Sequence, residues 1–245
     1  MAVSDLILIR HGESLGNVAA AEAYASGGEV IEVGCRDADV ELSATGVEQA
    51  EALGPGLAPL LDDDAPTLVW SSTYVRALQT AQLSLAAAGA ALPVRRDERL
   101  RDRELGILDL LTWTGVVNRF PQEAERRRWL GKFYHRPPGG ESWADVVLRV
   151  RSFLADLAAL PDGTRAVVFC HDALVLTFRY VCEDLTEHEV LEIGQTSPVK
   201  NVSITHLTRV GAEWQVERYN DVSHLEQTDA PVTRHPGDID DPQQS

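Results

Sequence analysis

Short runs of consecutive apolar residues alternate along this chain with longer segments whose apolar residues recur at helical spacing. A run that is apolar at every position offers no polar face to water, so as a strand it needs cover on both sides. The helical segments supply that cover. The alternation therefore predicts a three-layer α/β/α fold around a mainly parallel central sheet. Strands are expected at residues 5–10, 67–71, 166–170 and 202–208, with a last one at 214–218. Helices are expected at 14–24, 45–61, 73–88, 142–160, 173–182 and 187–193.

The stretch 109–140 breaks this rhythm with the charged run Glu123-Ala124-Glu125-Arg126-Arg127-Arg128 and then Pro137-Pro138-Gly139-Gly140. It reads as an irregular or helical insertion, a small cap over one edge of the sheet. Residues 226–245 hold three prolines and few apolar side chains, the composition of a flexible tail. One domain over residues 1–225 is expected, with the cap inside it.

Composition narrows the function classes. A chain of 245 residues, 44% apolar and 24% charged, can bury a large core and is not a disordered or fibrous type. Its 38 acidic against 22 basic residues leave a net charge of −16, a field that repels nucleic acids and anionic membranes. Neither is expected as a partner. Cys35, Cys170 and Cys182 form no CxxC pair, and an odd number argues against a disulfide framework. No basic leader precedes the first strand, and no apolar run approaches a membrane span. A cytoplasmic protein is the expectation.

The run Leu6-Ile7-Leu8-Ile9 stops at Arg10-His11-Gly12, and Ser14 stands where a helix would be capped. Arg10 and His11 thus sit at the carboxyl end of a strand, where open α/β sheets bind ligands. Gly12 allows an unusual backbone angle, and the free N–H groups of the next helix attract an anion. Arg76 follows the strand at 67–71, and His171 ends the one at 166–170.

Arg10-His11-Gly12-Glu13-Ser14 with Asn17 resembles the signature of the histidine phosphatase superfamily, which includes the cofactor-dependent phosphoglycerate mutases. Three further segments resemble that family in the right order. They are Leu42-Ser43-Ala44-Thr45-Gly46-Val47-Glu48-Gln49-Ala50, then Ser72-Thr73-Tyr74-Val75-Arg76-Ala77-Leu78-Gln79-Thr80-Ala81, then Val167-Val168-Phe169-Cys170-His171. Pro138-Gly139-Gly140-Glu141-Ser142 is similar to a segment common in the family before a helix. The resemblance spans about residues 5–208 and implies the mutase-like branch.

The chemistry agrees. Phosphoryl transfer needs a nucleophile, positive charge on the equatorial oxygens and a proton for the departing oxygen. His11 is expected to attack as a neutral imidazole and form a phosphohistidine. Arg10 and Arg76 are expected to fork onto the phosphate, Arg10 also disfavouring the imidazolium, while His171 donates from a second imidazole. Ser14, Asn17 and Asp172 are expected to contact substrate. The proton donor is less constrained. In Leu100-Arg101-Asp102-Arg103-Glu104-Leu105-Gly106, Asp102 stands where the family usually has a glutamate. Asp172 replaces the glycine common after the second histidine and makes the residue pair resemble the acid-phosphatase branch. Asp102 ranks first, Asp172 second and Glu104 third.

No zinc-type histidine spacing, P-loop or GxGxxG occurs, so neither a metal nor another cofactor is expected. Arg126, Arg127 and Arg128 are more readily a solvated helix face than substrate contacts. The reading is a phosphomonoester phosphatase acting on a small phosphorylated metabolite, with water as final acceptor and a homodimer as an open option. The alternatives are a 2,3-bisphosphoglycerate-dependent phosphoglycerate mutase and a non-catalytic phospho-ligand binding module.

Overall fold

The computed structural model describes residues 3–61 and 65–235. The strands are β1 (Val3–Arg10), β2 (Thr67–Ser71), β3 (Val94–Arg96), β4 (Thr164–Cys170), β5 (Ile204–Val210) and β6 (Glu213–Asp221). They form one sheet in the order β3-β2-β4-β1-β5-β6. The pairs β1–β4, β2–β4 and β2–β3 are parallel, and β5 runs antiparallel to both of its neighbours. The mainly parallel sheet is as expected. The edge strand β3 was not anticipated, because three residues, two of them exposed arginines, leave no periodic signal.

The unbroken apolar run of β1 has a simple cause. Leu6 and Leu8, with Ala166 and Val168 of β4, face Val150, Phe153, Phe178 and Val190 on one side of the sheet. Ile7 and Ile9, with Val167 and Phe169, face Leu53, Leu57, Ala81 and Leu85 on the other. Helices α6 (Trp143–Leu157), α7 (Asp172–Cys182) and α8 (Glu187–Thr196) cover the first face. The second lies under α2 (Ala44–Leu57), α3 (Val75–Ala87) and the short α9 (Ser223–Gln227). Each buried Leu or Ile contributes roughly 1.5–3 kcal/mol of transfer free energy. The chain leaving β1 passes through residues 15–39 before it reaches α2 on one face, whereas the chain leaving β4 enters α7 on the other directly. That divergence opens a crevice at the carboxyl ends of adjacent parallel strands.

Helix α1 (Leu15–Ser26) begins at Ser14, whose hydroxyl accepts from Asn17 N while the Asn17 side chain accepts from Ser14 N. The insertion folds as α4 (Trp113–Arg119) and α5 (Pro121–Tyr134), with a small core of Leu108, Leu111, Trp113, Val116 and Ala124. Its two ends are tied by Ile107 N to Pro138 O (3.1 Å) and Glu141 N to Glu104 O (2.8 Å). Gly106 carries a φ of 56°, and a Cβ there would lie 2.2 Å from Pro138 O, so the Pro-Gly turn closes only against a glycine.

The segment read as a flexible tail needs correcting for residues 226–235. Ala230 is buried, Gln49 Nε2 donates to Pro231 O (2.9 Å) and Thr233 Oγ1 (2.8 Å), and Asn201 N donates to Thr233 O (3.2 Å). A segment poor in apolar residues is fastened here by polar side chains, which composition does not reveal. The expectation for residues 236–245 lies outside the described residues.

Candidate active site

The register of the sheet brings the strand-end residues together. Arg10 pairs with Cys170 and Ser71 with Phe169, and the ladder continues through His11 N to Cys170 O (3.0 Å) and Ser72 N to Phe169 O (2.9 Å). His11, Ser72 and His171 therefore stand at one level. The imidazoles of His11 and His171 lie 5.1 Å apart at 61°.

The loop after Arg10 is pinned from below by buried polar side chains. Gly12 N donates to Thr80 Oγ1 (3.0 Å) and Glu13 N to Gln49 Oε1 (2.9 Å), while Gln79 Oε1 accepts from Leu42 N (2.9 Å) in the segment that bridges to Ser14. Gly12 does not use the backbone freedom of a glycine, since its φ is not positive. It is needed for space: a Cβ on Gly12 would sit 2.7 Å from Gly46 O, and one on Gly46 would sit 1.9 Å from Glu13 O. Two glycines thus let the loop lie directly on the start of α2.

His11 Nδ1 is 2.7 Å from Gly12 O, which fixes the proton on Nδ1 and leaves the lone pair on Nε2. Arg76 Nε donates to that Nε2 at 3.2 Å. Burial, and then the charges of Arg76, His171 and Arg10, hold the His11 pKa well below the usual histidine range. His171 is fully buried, and burial followed by Arg76 lowers its pKa in the same way. Its Nε2 meets Ser72 Oγ at 2.9 Å and its Nδ1 lies 3.2 Å from Asp102 Oδ2.

Arg76 is the hub of the cluster. Its terminal nitrogens donate to Asp37 O (2.7 Å), to both Asp37 carboxylate oxygens (3.0 Å each) and to Asp102 Oδ2 (3.1 Å). Burial works against its charge, but Asp37 and Asp102 outweigh it and keep the guanidinium firmly protonated. Arg10 is buried and donates to Val199 O and to His235 O (2.8 Å), while no protein acceptor meets its Nε among the described residues.

Arg10, His11, Ser14, Asn17, Arg76, Asp102 and Asp172 all line one open cleft. His171 joins from behind, packed on His11 and Asp102, and is not part of the cleft wall. Of the three proton-donor candidates, Glu104 is placed elsewhere: it accepts from Tyr74 Oη (2.9 Å) and does not line the cleft. Arg126 pairs with Glu123 (3.3 Å), and Arg127 and Arg128 lie over Trp113, all away from the cleft. The sequence reading missed Asp37, Asp109, Arg103 and Asn201. Asp37 and Asp109 stand in irregular segments without a periodic signal. Thr80, Gln49 and Gln79 had one, since polar residues at the inward positions of helices demand a buried partner.

Residues 6–222 match the histidine phosphatase superfamily, branch 1. The chain belongs to this superfamily. It is 30% identical over 191 residues, 77% of this chain and 83% of the relative, to a 2,3-bisphosphoglycerate-dependent phosphoglycerate mutase of Methylobacterium radiotolerans. It is 26% identical over 223 residues, 91% of this chain and 84% of the relative, to a metal-independent phosphoserine phosphatase of Arabidopsis thaliana. The solved structure of a mycobacterial glucosyl-3-phosphoglycerate phosphatase in complex with VO3 is similar with a TM-score of 0.68 and 27% identity. The match covers 89% of this chain and 99% of that one. This histidine phosphatase is accordingly an enzyme acting on phosphomonoesters. No helix among the described residues is long and apolar enough to cross a membrane.

Proposed function

We propose that this protein is a phosphomonoester phosphatase that works through a phosphohistidine on His11. The observation that carries the reading is the state of the His11 ring, with Nδ1–H held by Gly12 O and Nε2 carrying its lone pair beside Arg76. A non-catalytic phosphate binder has no use for an imidazole kept neutral and aimed in this way.

In the first step the Nε2 lone pair forms the N–P bond while the ester P–O bond breaks, and the proton of the ester monoanion passes through Asp102 to the departing alcohol oxygen. In the second, water attacks phosphorus as the N–P bond breaks, and its proton passes through the Asp102 carboxylate back to the released phosphate. Inorganic phosphate and neutral His11 result. Arg76 and the otherwise unpartnered Nε of Arg10 supply charge and donors to the equatorial oxygens. His171 fixes Asp102 and the His11 ring from behind, and Ser14, Asn17 and Asp172 flank the substrate on the cleft wall.

The phosphatases among the similar proteins support this reading. The mutase relative supports a second one, in which the phosphoryl group returns to a substrate hydroxyl instead of passing to water. Three thiols that form no disulfide suit a cytoplasmic setting. Replacing His11 with Ala is expected to lower turnover of an aryl phosphate by several orders of magnitude with the fold retained. Rapid-quench labelling of the wild type with radioactive phosphate ester should trap acid-labile label on His11. Acid-stable label, or near-normal turnover in the variant, overturns the mechanism. Phosphate release that does not need 3-phosphoglycerate as acceptor separates the phosphatase from the mutase.

A further inference from the structure

The floor of the cleft uses up its cations. Arg76 is committed to Asp37, Asp102 and His11, and Arg10 to Val199 O and His235 O, with only its Nε over. The remaining cation on the wall, Arg103, is buried and turned to Glu141 O (2.7 Å) and His135 O (3.4 Å). Beyond the phosphate floor the wall is built from Ala20, Tyr24, Ile31, Leu105, Leu110 and Leu111, with Asp109 among them. This surface offers apolar contact and negative charge to the part of a substrate that projects from the phosphate.

Asp109 is held at this wall by its backbone. Its Oδ1 accepts from Leu110 N (3.0 Å), and Leu110 has a φ of 55°, a conformation costly for a leucine. The strained residue is kept by Ile31 N donating to Leu110 O (2.8 Å) and by the bridge from Val30 to Leu111. Two segments distant in sequence therefore cooperate to present one carboxylate to the cleft. Asp109 is exposed at the cleft mouth, and partial burial of its carboxyl, then the neighbouring Asp37, pushes its pKa up to about 6 against the opposing charge of Arg76.

We propose that the cleft selects phosphomonoesters whose alcohol carries an apolar body and no second anion, and that Asp109 is the residue that sets this specificity. The inference rests on the phosphatase reading above. A carboxylate or second phosphate on the alcohol would be repelled by Asp109 at the exposed mouth of the cleft, where no spare cation stands among the described residues, whereas a hydroxyl group would not be repelled and an ammonium group would be attracted. Binding of the shared phosphate is the same for all such esters, so discrimination belongs to the projecting group alone.

The test is a matched series of 4-substituted phenyl phosphates bearing hydroxymethyl, aminomethyl or carboxymethyl groups, assayed with the full chain at pH 7.5. The methylene keeps their leaving groups similar. The carboxymethyl ester is expected to show kcat/KM about tenfold below the hydroxymethyl ester, chiefly through KM, with the aminomethyl ester at least equal to it. Asp109→Asn keeps the acceptor for Leu110 N, and the ratio between carboxymethyl and hydroxymethyl esters should then rise to within about threefold of unity. In the wild type, added salt should narrow the same gap, a readout independent of any variant. A carboxymethyl ester turned over as well as the hydroxymethyl ester overturns this inference and leaves the phosphatase reading intact. A gap that is unmoved by both Asp109→Asn and salt removes Asp109 from the role. Failure to hydrolyse all three overturns the phosphatase reading and this inference with it.

Discussion

Two imidazoles packed 5.1 Å apart beside two guanidinium groups cannot both be charged, and burial pushes each further toward the neutral form. That pressure keeps the His11 imidazole neutral near neutral pH, the state the proposed attack on phosphorus requires. Reach supports Asp102 as the proposed proton donor. Asp102 touches Arg76 and His171 and lines the cleft, as the proposed acid must, although its side chain is one methylene shorter than the glutamate usual in the family. Asp102→Asn is expected to slow esters of poor leaving groups about a hundredfold more than activated aryl esters, since an activated leaving group departs without a proton. Asp172 accepts from Ala173 N (2.7 Å) at the start of α7 and lines the wall. Asp172→Asn should shift both ester types alike. Leaving-group sensitivity confined to the Asp172 variant reverses the assignment.

The loop between β1 and α1 works because other elements hold it. Thr80 reaches up from α3 and Gln49 from α2, and the C-terminal segment closes the ring by meeting Gln49, Asn201, Arg10 and Glu13. Asn201 in turn donates to His11 O at 3.0 Å. Ending the chain after Ala230 removes the Thr233 and His235 contacts and frees one side of Arg10. Each lost hydrogen bond contributes about 0.5–1.5 kcal/mol, so a fall in melting temperature of several degrees is expected. Inhibition by inorganic phosphate should weaken about three- to tenfold as Arg10 loses its fixed orientation. A truncated enzyme with unchanged phosphate inhibition would show that Arg10 is held from β1 alone.

The molecule as a whole buries histidines at a cost in acid. His11, His135, His171 and His224 all have pKa values lowered chiefly by burial, that of His224 to about 4. Between the unfolded value of about 6.5 and these folded values the unfolded chain binds more protons, so stability falls as pH falls through that window. Asp109 opposes the trend, because its raised pKa makes the folded state bind the extra proton between about 6 and 4. The histidines outnumber it. Denaturant midpoints are expected to be flat from pH 8 to 7 and to drop steadily below 6.5. The variant His224→Gln, remote from the cleft, should reduce the slope by up to about 1.4 kcal/mol per pH unit. A midpoint that rises toward pH 5 contradicts this balance.

Much of the architecture was legible in residue order. Leu6–Ile9 had to be covered on both faces, and the strand-end positions of Arg10 and His171 followed from where the apolar runs stop. Ser14, Asn17 and the glycines were visible as local signals, although Gly12 turned out to serve close approach to Gly46 and not an unusual angle. What remained hidden depends on contacts between distant segments. Asp37 reads as one more loop aspartate until it is seen on Arg76, and Asp109 gains meaning only beside Leu110, Ile31 and the cleft. The C-terminal stretch resembles a tail because its composition is polar, and polar side chains bind tightly or not at all according to what faces them. Periodicity reports which residues leave water. Only the fold decides which polar groups then meet.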